Sequence, residues 1–500
     1  MKRSWWAAAL AILAAGFPSI PAHADGLIDN VNGYTIDAAN QLHRFNALVI
    51  RPDGRVGQLL LATDKRPKGL DWRYDVQGKT MLPGIVDAAG ALIYYGLQLT
   101  GLDLSAAQRM AEVQALVRGY AQAHPEKKWV IGRGWTPLPE AERAALTATA
   151  LDEAVADRPV VLLSADGDSA WVNSAALKVA GLQVSPADQD SVIAGPAMSA
   201  MQRFLPETLP VERDQALAVA QYGLLAAGIT AMTDLGTSER DWNSFRRAAD
   251  SGRLKLRVTS YADNIEGLIS IAGARPMAWA QDARLRMIGL GLQLDSSLQS
   301  GTAWRASSAS ASVLELRRIE DTRLRNLSSR AAMDGFQLAI IAHGDAAVEE
   351  ALNVIDEMVP TYTGDRRWLI HGIVQVNATD LARLDRNDII VTGGPVFADG
   401  NVTSVWGSGM LAVAPDPIAA MSALSRSANF PRIDEARLLA SFTSGPAYAA
   451  FAEKDFGRLL PGYLADFILL DGDPLAPIAA NHPIQVMESW IGGKREWSRK

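Results

Sequence analysis

The chain has 500 residues, 48% of them hydrophobic and 21% charged, with no cysteine and only 6 histidines. Such a length corresponds to about three domain-sized units, or to one large barrel with an appendage, and the composition is that of a folded globular chain. The missing cysteines exclude disulfides, thiolate metal centres and cysteine nucleophiles. The formal net charge of −7 lacks the basic footprint of a nucleic-acid binder.

Lys2 and Arg3 precede an uncharged run from Trp5 to Phe17, and Ala22-His23-Ala24 follows with small residues at the two positions a signal peptidase reads. This is the pattern of a secretory signal over residues 1–24, cleaved before Asp25. The apolar run is shorter than the roughly 20 residues of a spanning helix. Cleavage removes Lys2 and Arg3 and takes the charge from −7 to −9. The expected location is periplasmic or secreted, with no membrane span after cleavage.

From Asp25 to about Thr80 the pattern predicts strands. Phe45–Ile50 and Val56–Leu61 flank the turn Pro52-Asp53-Gly54, and Asp71–Val76 forms another strand ended by Gly78. The chain end looks alike, with strands at Phe467–Leu470 and at Val486–Ile491 before Gly492-Gly493. Residues 25–80 and 457–500 are therefore expected to close one small β domain across the two termini. Between them, residues 81–456 alternate strand and helix. The predicted strands are Met81–Val86, Pro159–Leu163, Thr230–Met232, Leu254–Ser260, Met287–Leu294, Gln337–Ala342, Trp368–Ile370 and Asp388–Val391. Helices are predicted at Ala106–Ala123, Arg213–Ala227 and Ala346–Met358. Repeated βα units imply a parallel sheet, closed or open. If it closes, function lies at the carboxyl ends of its strands. The Ser- and Ala-rich stretch Ser296–Ser312 follows a strand and suits a loop or a lid.

The common signatures of chemistry are absent from the sequence. There is no Gly-x-Ser-x-Gly elbow, no Gly-x-Gly-x-x-Gly or Gly-x-x-x-x-Gly-Lys phosphate loop, and no His-Glu-x-x-His. After cleavage five histidines remain: His43, His124, His343, His371 and His482, none paired with another at ligand spacing. His43 and His482 fall in the terminal β segments and His124 ends a helix, whereas His343 and His371 follow predicted strands.

Several ordered motifs carry a resemblance. They are Met81-Leu82-Pro83-Gly84-Ile85-Val86-Asp87, Gly132-Arg133-Gly134-Trp135, Asp166-Gly167, Trp171-Val172-Asn173-Ser174-Ala175-Ala176-Leu177, Gly228-Ile229-Thr230, Gly344-Asp345, Asp416-Pro417 and Pro461-Gly462-Tyr463-Leu464-Ala465-Asp466-Phe467. Together they resemble the amidohydrolase superfamily, in particular its amidohydrolase-3 branch, over nearly the whole mature chain. The resemblance implies an α/β fold, a distorted (β/α)8 barrel with a small β-sandwich built from both chain ends. It also implies metal-dependent hydrolysis of non-peptide C–N bonds, with zinc or another divalent metal, and a homodimer.

The same resemblance shows where this sequence departs. The family's His-x-His pair falls on Ala89 and Ala91, its bridging lysine near Gly291, a third histidine on Ile341, and its metal-binding aspartate on Gly409 after Ser408. The histidine after Asp166-Gly167 is replaced by Asp168 and the one before Asp234 by Thr233; only His371 is kept. A catalytic zinc needs about three protein donors, and Ala, Gly and Ile supply none. Two readings follow. In the first, no metal cofactor binds and the mouth of the barrel binds a small organic molecule, with Trp171, Asp168, Tyr95 and Ser408 as contact residues and Tyr94, Trp406 and Met410 as further lining. In the second, the chain still hydrolyses amide- or carbamate-type bonds through a rebuilt site around His371, with Asp87, Asp295 and His343 as the nearest acid–base groups. The bland role expected of Asp87, Asp234 and Asp345 is to orient backbone at strand-to-loop turns, and that of Asp295 is a solvated loop acid.

Overall fold

A computed structural model describes residues 25–135, 146–165, 167–182, 191–295, 303–305, 318–373, 376–393, 402–409, 415–427, 434–476 and 482–500. The expected signal, residues 1–24, lies outside them, as do Asp166, Met410 and most of Ser296–Ser312.

Eight parallel strands form the central sheet in sequential order: β1 Ile85–Gly90, β2 Ile229–Thr237, β3 Arg257–Ala262, β4 Leu285–Gln293, β5 Gln337–Ile341, β6 Leu369–His371, β7 Ile390–Thr392 and β8 Ser404–Val405. Backbone bonds from Ala88 N to Trp406 O (3.2 Å) and from Gly409 N to Ala89 O (3.2 Å) bring the residues after β8 back to β1. The sheet is thus a nearly closed, distorted barrel. Ala89, Leu235, Tyr261, Ile288, Ile341, Leu369, Ile390 and Val405, one from each strand, are buried together in its interior. Such filling is what a barrel of eight strands requires, because its inside is just wide enough for side chains.

Strands from both chain ends build the predicted sandwich. One sheet holds Thr80–Pro83 between Asn32–Ile36 and Phe467–Leu470, with Val486–Ile491 and Lys494–Ser498 beyond. The other holds Gly26–Asp29 between Ala47–Ile50 and Trp72–Asp75. The predicted hairpin is present between Ala47–Ile50 and Val56–Leu60. Phe45, however, belongs to the preceding strand, Leu42–Phe45 in the facing sheet. Predicted strand Met81–Val86 is two strands, Thr80–Pro83 in the sandwich and β1 in the barrel. They part at Gly84, where an added Cβ would overlap the Thr230 side chain. Arg257 on β3 fastens barrel to sandwich. Its Nε and Nη2 donate to both oxygens of Asp466 at 2.6 and 2.8 Å, and its Nη1 to the carbonyls of Asp282 and Ala283, with both side chains buried.

One prediction is corrected. Predicted strand Pro159–Leu163 (Val160–Ser164) is not part of the barrel. The helices Leu92–Thr100 and Pro210–Ala226 pack on each other as the crossover between β1 and β2, and five strands that lie between them in sequence form a separate sheet. Its order is Val192–Ala194, Ser169–Val172, Val160–Ser164, Val130–Trp135, Leu102–Asp103. Three of these strands are parallel, so they present the same short apolar runs between helices that barrel strands do.

Candidate functional site at the barrel mouth

The carboxyl ends of β1, β2 and β4–β7 bring Asp87, Asp234, Gln293, His343, His371 and Thr392 toward one end of the barrel. Asp87 alternates with Ala89 along β1 and is fully buried. Its Oδ1 accepts from Ala89 N (3.0 Å) and Ser408 N (2.9 Å), while Oδ2 has no hydrogen-bond partner. Burial pushes its pKa up to about 6. Ser408, expected as a ligand contact, helps close the barrel here: its Oγ donates to Ala89 O at 3.2 Å. Asp234 has the backbone-orienting role expected of it. Its Oδ2 accepts from Leu92 N (2.8 Å) and its Oδ1 from Thr237 Oγ1 (2.6 Å), and burial again raises its pKa to about 6. Asp345 accepts from Ala346 N at 3.0 Å in the first turn of its helix.

Asp295 is not a solvated acid. It is wholly buried after β4, and accepts three backbone N–H bonds: from His343 (2.9 Å) on Oδ1, and from Trp304 (2.9 Å) and Gly344 (2.8 Å) on Oδ2. It thereby fixes the loop after β5 on which His343 stands. His343 Nδ1 lies 3.5 Å from Asp295 Oδ1 and makes no hydrogen bond. The His343 ring meets the His371 ring edge-on, 6.0 Å between centroids. Gly372 and Gly393, both at positive φ, make room for this pair, since a Cβ at either would run into an imidazole. His371 Nδ1 is 3.0 Å from Thr392 Oγ1, its opposite number on β7. Burial, aided by neighbouring His343, pulls the pKa of His371 down to about 3. At neutral pH His371 is an uncharged, weak base.

The inserted sheet reaches the mouth through the turn after Val160–Ser164. Tyr94 Oη donates to Ser164 O at 2.9 Å. Asp168 is buried there, with Gln293 Nε2 3.0 Å from its Oδ2 and Arg318 paired to its Oδ1; Arg318 also donates to Gln293 Oε1 at 3.2 Å. Gln293, Arg318 and Thr392 were not singled out by the sequence. Gln293 was within reach of pattern reasoning, two residues beyond Gly291 on one face of β4; Arg318 carried no such signal.

Two expected pocket residues are corrected. Trp171 lies in the core of the inserted sheet, fully buried, its Nε1 donating to Thr147 O at 3.1 Å. Tyr95 is buried against the helix Pro210–Ala226 near Gly223. Trp406 stacks on Phe442, ring centroids 5.4 Å apart.

Apart from His371, the described residues at the positions the resemblance gives to metal ligands carry no donor side chain. Ala89 is packed against Gly407, and Ile341 is a core residue of the barrel interior. A Cβ added at Gly291 would overlap the carbonyl oxygen of Leu235, so β2 backbone fills the space a bridging lysine would cross. Among the described residues no group of three or more His, Cys, Asp or Glu side chains is placed to hold a metal ion.

Comparison with known proteins agrees with this architecture. The chain is 25% identical to the protein LONG AFTER FAR-RED 3 of Arabidopsis thaliana, covering 84% of this chain and 83% of that one. It is 26% identical to the putative amidohydrolase YtcJ of Bacillus subtilis, covering 84% and 89%. An uncharacterized metal-dependent hydrolase from Pyrococcus horikoshii superposes with a TM-score of 0.71 at 21% identity, covering 90% of this chain and 98% of the other, and shares the fold. The amidohydrolase family model matches residues 74–391, from the strand Trp72–Asp75 into β7. With more than half the chain matched and the barrel and sandwich in place, the protein belongs to the amidohydrolase family, in its amidohydrolase-3 branch.

Proposed function

We propose that this chain keeps the amidohydrolase barrel as a small-molecule-binding scaffold and does not run the family's metal-dependent hydrolysis of C–N bonds. The observation that carries this reading is the donor set: Ala89, Ala91, Gly291 and Ile341 stand where the resemblance puts ligands, and Gly291 has no room for any side chain. Hydrolysis by the metal route depends on lowering the pKa of a bound water from 15.7 to about 7. A single buried imidazole, His371, cannot hold an ion for that purpose. The polar groups around the mouth, Asp168, Gln293, Arg318 and His343, give a small organic ligand something to orient on.

A second reading rests on one specific contact. His343 Nδ1 lies 3.5 Å from the Asp295 carboxylate, and this imidazole would activate water against an amide or carbamate carbonyl without a metal. His371 is a poor base, because its low pKa leaves little driving force for proton abstraction.

Metal analysis of protein purified from zinc-supplemented medium tests the first reading: less than a tenth of an equivalent per chain, on the order of background, is expected. One tightly held metal per chain refutes it. Turnover of N-acyl amines or carbamates that is lost in His343→Ala but survives chelation would establish the second reading instead. We also propose a periplasmic location from the order of Lys2, Arg3, the apolar run and Ala22-His23-Ala24. A mature amino terminus at Asp25 is the expected result, and an intact Met1 in exported protein counts against it.

A further inference from the structure

Outside the barrel, a cavity of about 650 Å³ opens between the helix Leu92–Thr100, the inserted strand Val130–Trp135 and the segment 204–215. Its volume is in the range of small-molecule sites. Leu97, Trp129, Ile131 and Phe204 give it apolar walls, and Lys127, Lys128 and Arg133 supply three cations.

The acids on the same walls are already engaged. Glu207 pairs with Arg240 at 3.0 Å. Glu212 accepts from Leu209 N at 2.8 Å, capping the helix Pro210–Ala226. Arg133 is in the opposite condition. Its side chain makes no hydrogen bond or ion pair with any described residue, and its Nε is buried without a partner. Burial also draws its pKa below the usual guanidinium value. Glu212 on the same wall offsets part of that burial cost through space but is not bonded to Arg133, and folded chains seldom leave a shielded cation without a directly paired anion.

We propose that this cavity is a binding site for a small organic carboxylate with an aromatic or aliphatic body. The carboxylate sits on Arg133 and the body lies against Trp129 and Phe204. The planar guanidinium fork matches a carboxylate through two parallel hydrogen bonds. A phosphate is the poorer fit, because the nearby helix N-terminus that would serve it is occupied by Glu212. Phe204 is 46% exposed and Leu209 55% exposed, so the rim offers apolar area for a ligand to cover.

Calorimetric titration of the full chain with phenylacetate, phenylacetamide and inorganic phosphate tests the proposal. Phenylacetate is expected to saturate at millimolar concentration or below. The neutral amide should bind about tenfold or more weakly, because it lacks the charge that Arg133 pairs with. Phosphate should not displace the acid. Arg133→Gln should weaken phenylacetate binding by about tenfold or more without lowering the thermal midpoint, since the arginine makes no bond to lose. Equal affinity for acid and amide, displacement by phosphate, no saturation below about 10 mM, or unchanged affinity in Arg133→Gln would each overturn the proposal. If that variant fails to fold, the comparison of acid with amide on the unmodified chain decides alone.

Discussion

Replacing Asp87 by asparagine should stabilise the protein at neutral pH and do little in acid. The carboxyl is fully buried, one oxygen takes two backbone N–H bonds, and the other takes none. Burial raises its pKa from 3.8 to about 6. The folded state therefore binds more protons than the unfolded state between about pH 4 and 6, so stability falls as pH rises through that window and levels off above it. A difference of about two pH units is worth about 3 kcal/mol once the group is ionised in both states. Asparagine imitates the neutral acid and keeps a carbonyl oxygen for Ala89 N and Ser408 N. Asp87→Asn should thus be near neutral at pH 4 and gain about 2 kcal/mol on the parent by pH 7.5. Guanidinium unfolding of both proteins at the two pH values measures this. An advantage that does not grow with pH refutes the reasoning. A parent more stable at pH 7.5 would mean that a cation sits on Asp87.

Three other outcomes follow from the same physics. Asp295→Ala strands the N–H groups of His343, Gly344 and Trp304, one buried and two partly buried. At about 1–3 kcal/mol for each unsatisfied group, amide exchange in the loop after β5 should quicken by about a hundredfold, as read by mass spectrometry; a change under about threefold would contradict the anchoring role. Arg257→Ala leaves Asp466 buried and unpaired, and should cost about 3–5 kcal/mol in a denaturant titration. The His371 ring should stay neutral at pH 5, because its folded pKa lies near 3. The unfolded chain takes up that proton first, so this residue's contribution to stability is lost as pH falls from about 6.5 toward 3. Imidazole nitrogen shifts across that range check it, and a midpoint near 6 would be the contrary result.

The barrel was legible because its strands are short apolar runs at regular spacing, and the β2, β3, β4, β5, β6 and β7 runs all lie where the pattern predicts them. The inserted sheet was not, because a parallel strand buried on both faces looks the same wherever it sits; Val160–Ser164 passes for a barrel strand by that test. Strand β8 has two residues, Ser404–Val405, too few for any period to show. At the site, the turn residues Asp87, Asp234 and Asp345 follow from strand ends. The burial of Asp295 depends on N–H groups 9, 48 and 49 residues away, which no local pattern contains. Trp171 and Tyr95 misled for a related reason: an aromatic beside a motif packs into a core as readily as into a pocket.

The positions that the resemblance gives to metal ligands differ in the room they leave. At Ala89 and Ile341 a donor could in principle be written back, since these residues stand on strands whose backbone still runs in place. Gly291 is different. There the β2 chain, irregular between Asp234 and Thr237 where it pairs with β3, places the Leu235 carbonyl over the position. A lysine at 291 would first have to push that backbone aside, in an interior filled by one side chain from every strand. At the mouth, Asp168 with Gln293 and Arg318 joins the inserted sheet to β4. On the reading proposed above, a ligand at the mouth is to be sought through Asp168 and Arg318 as well as through the two histidines.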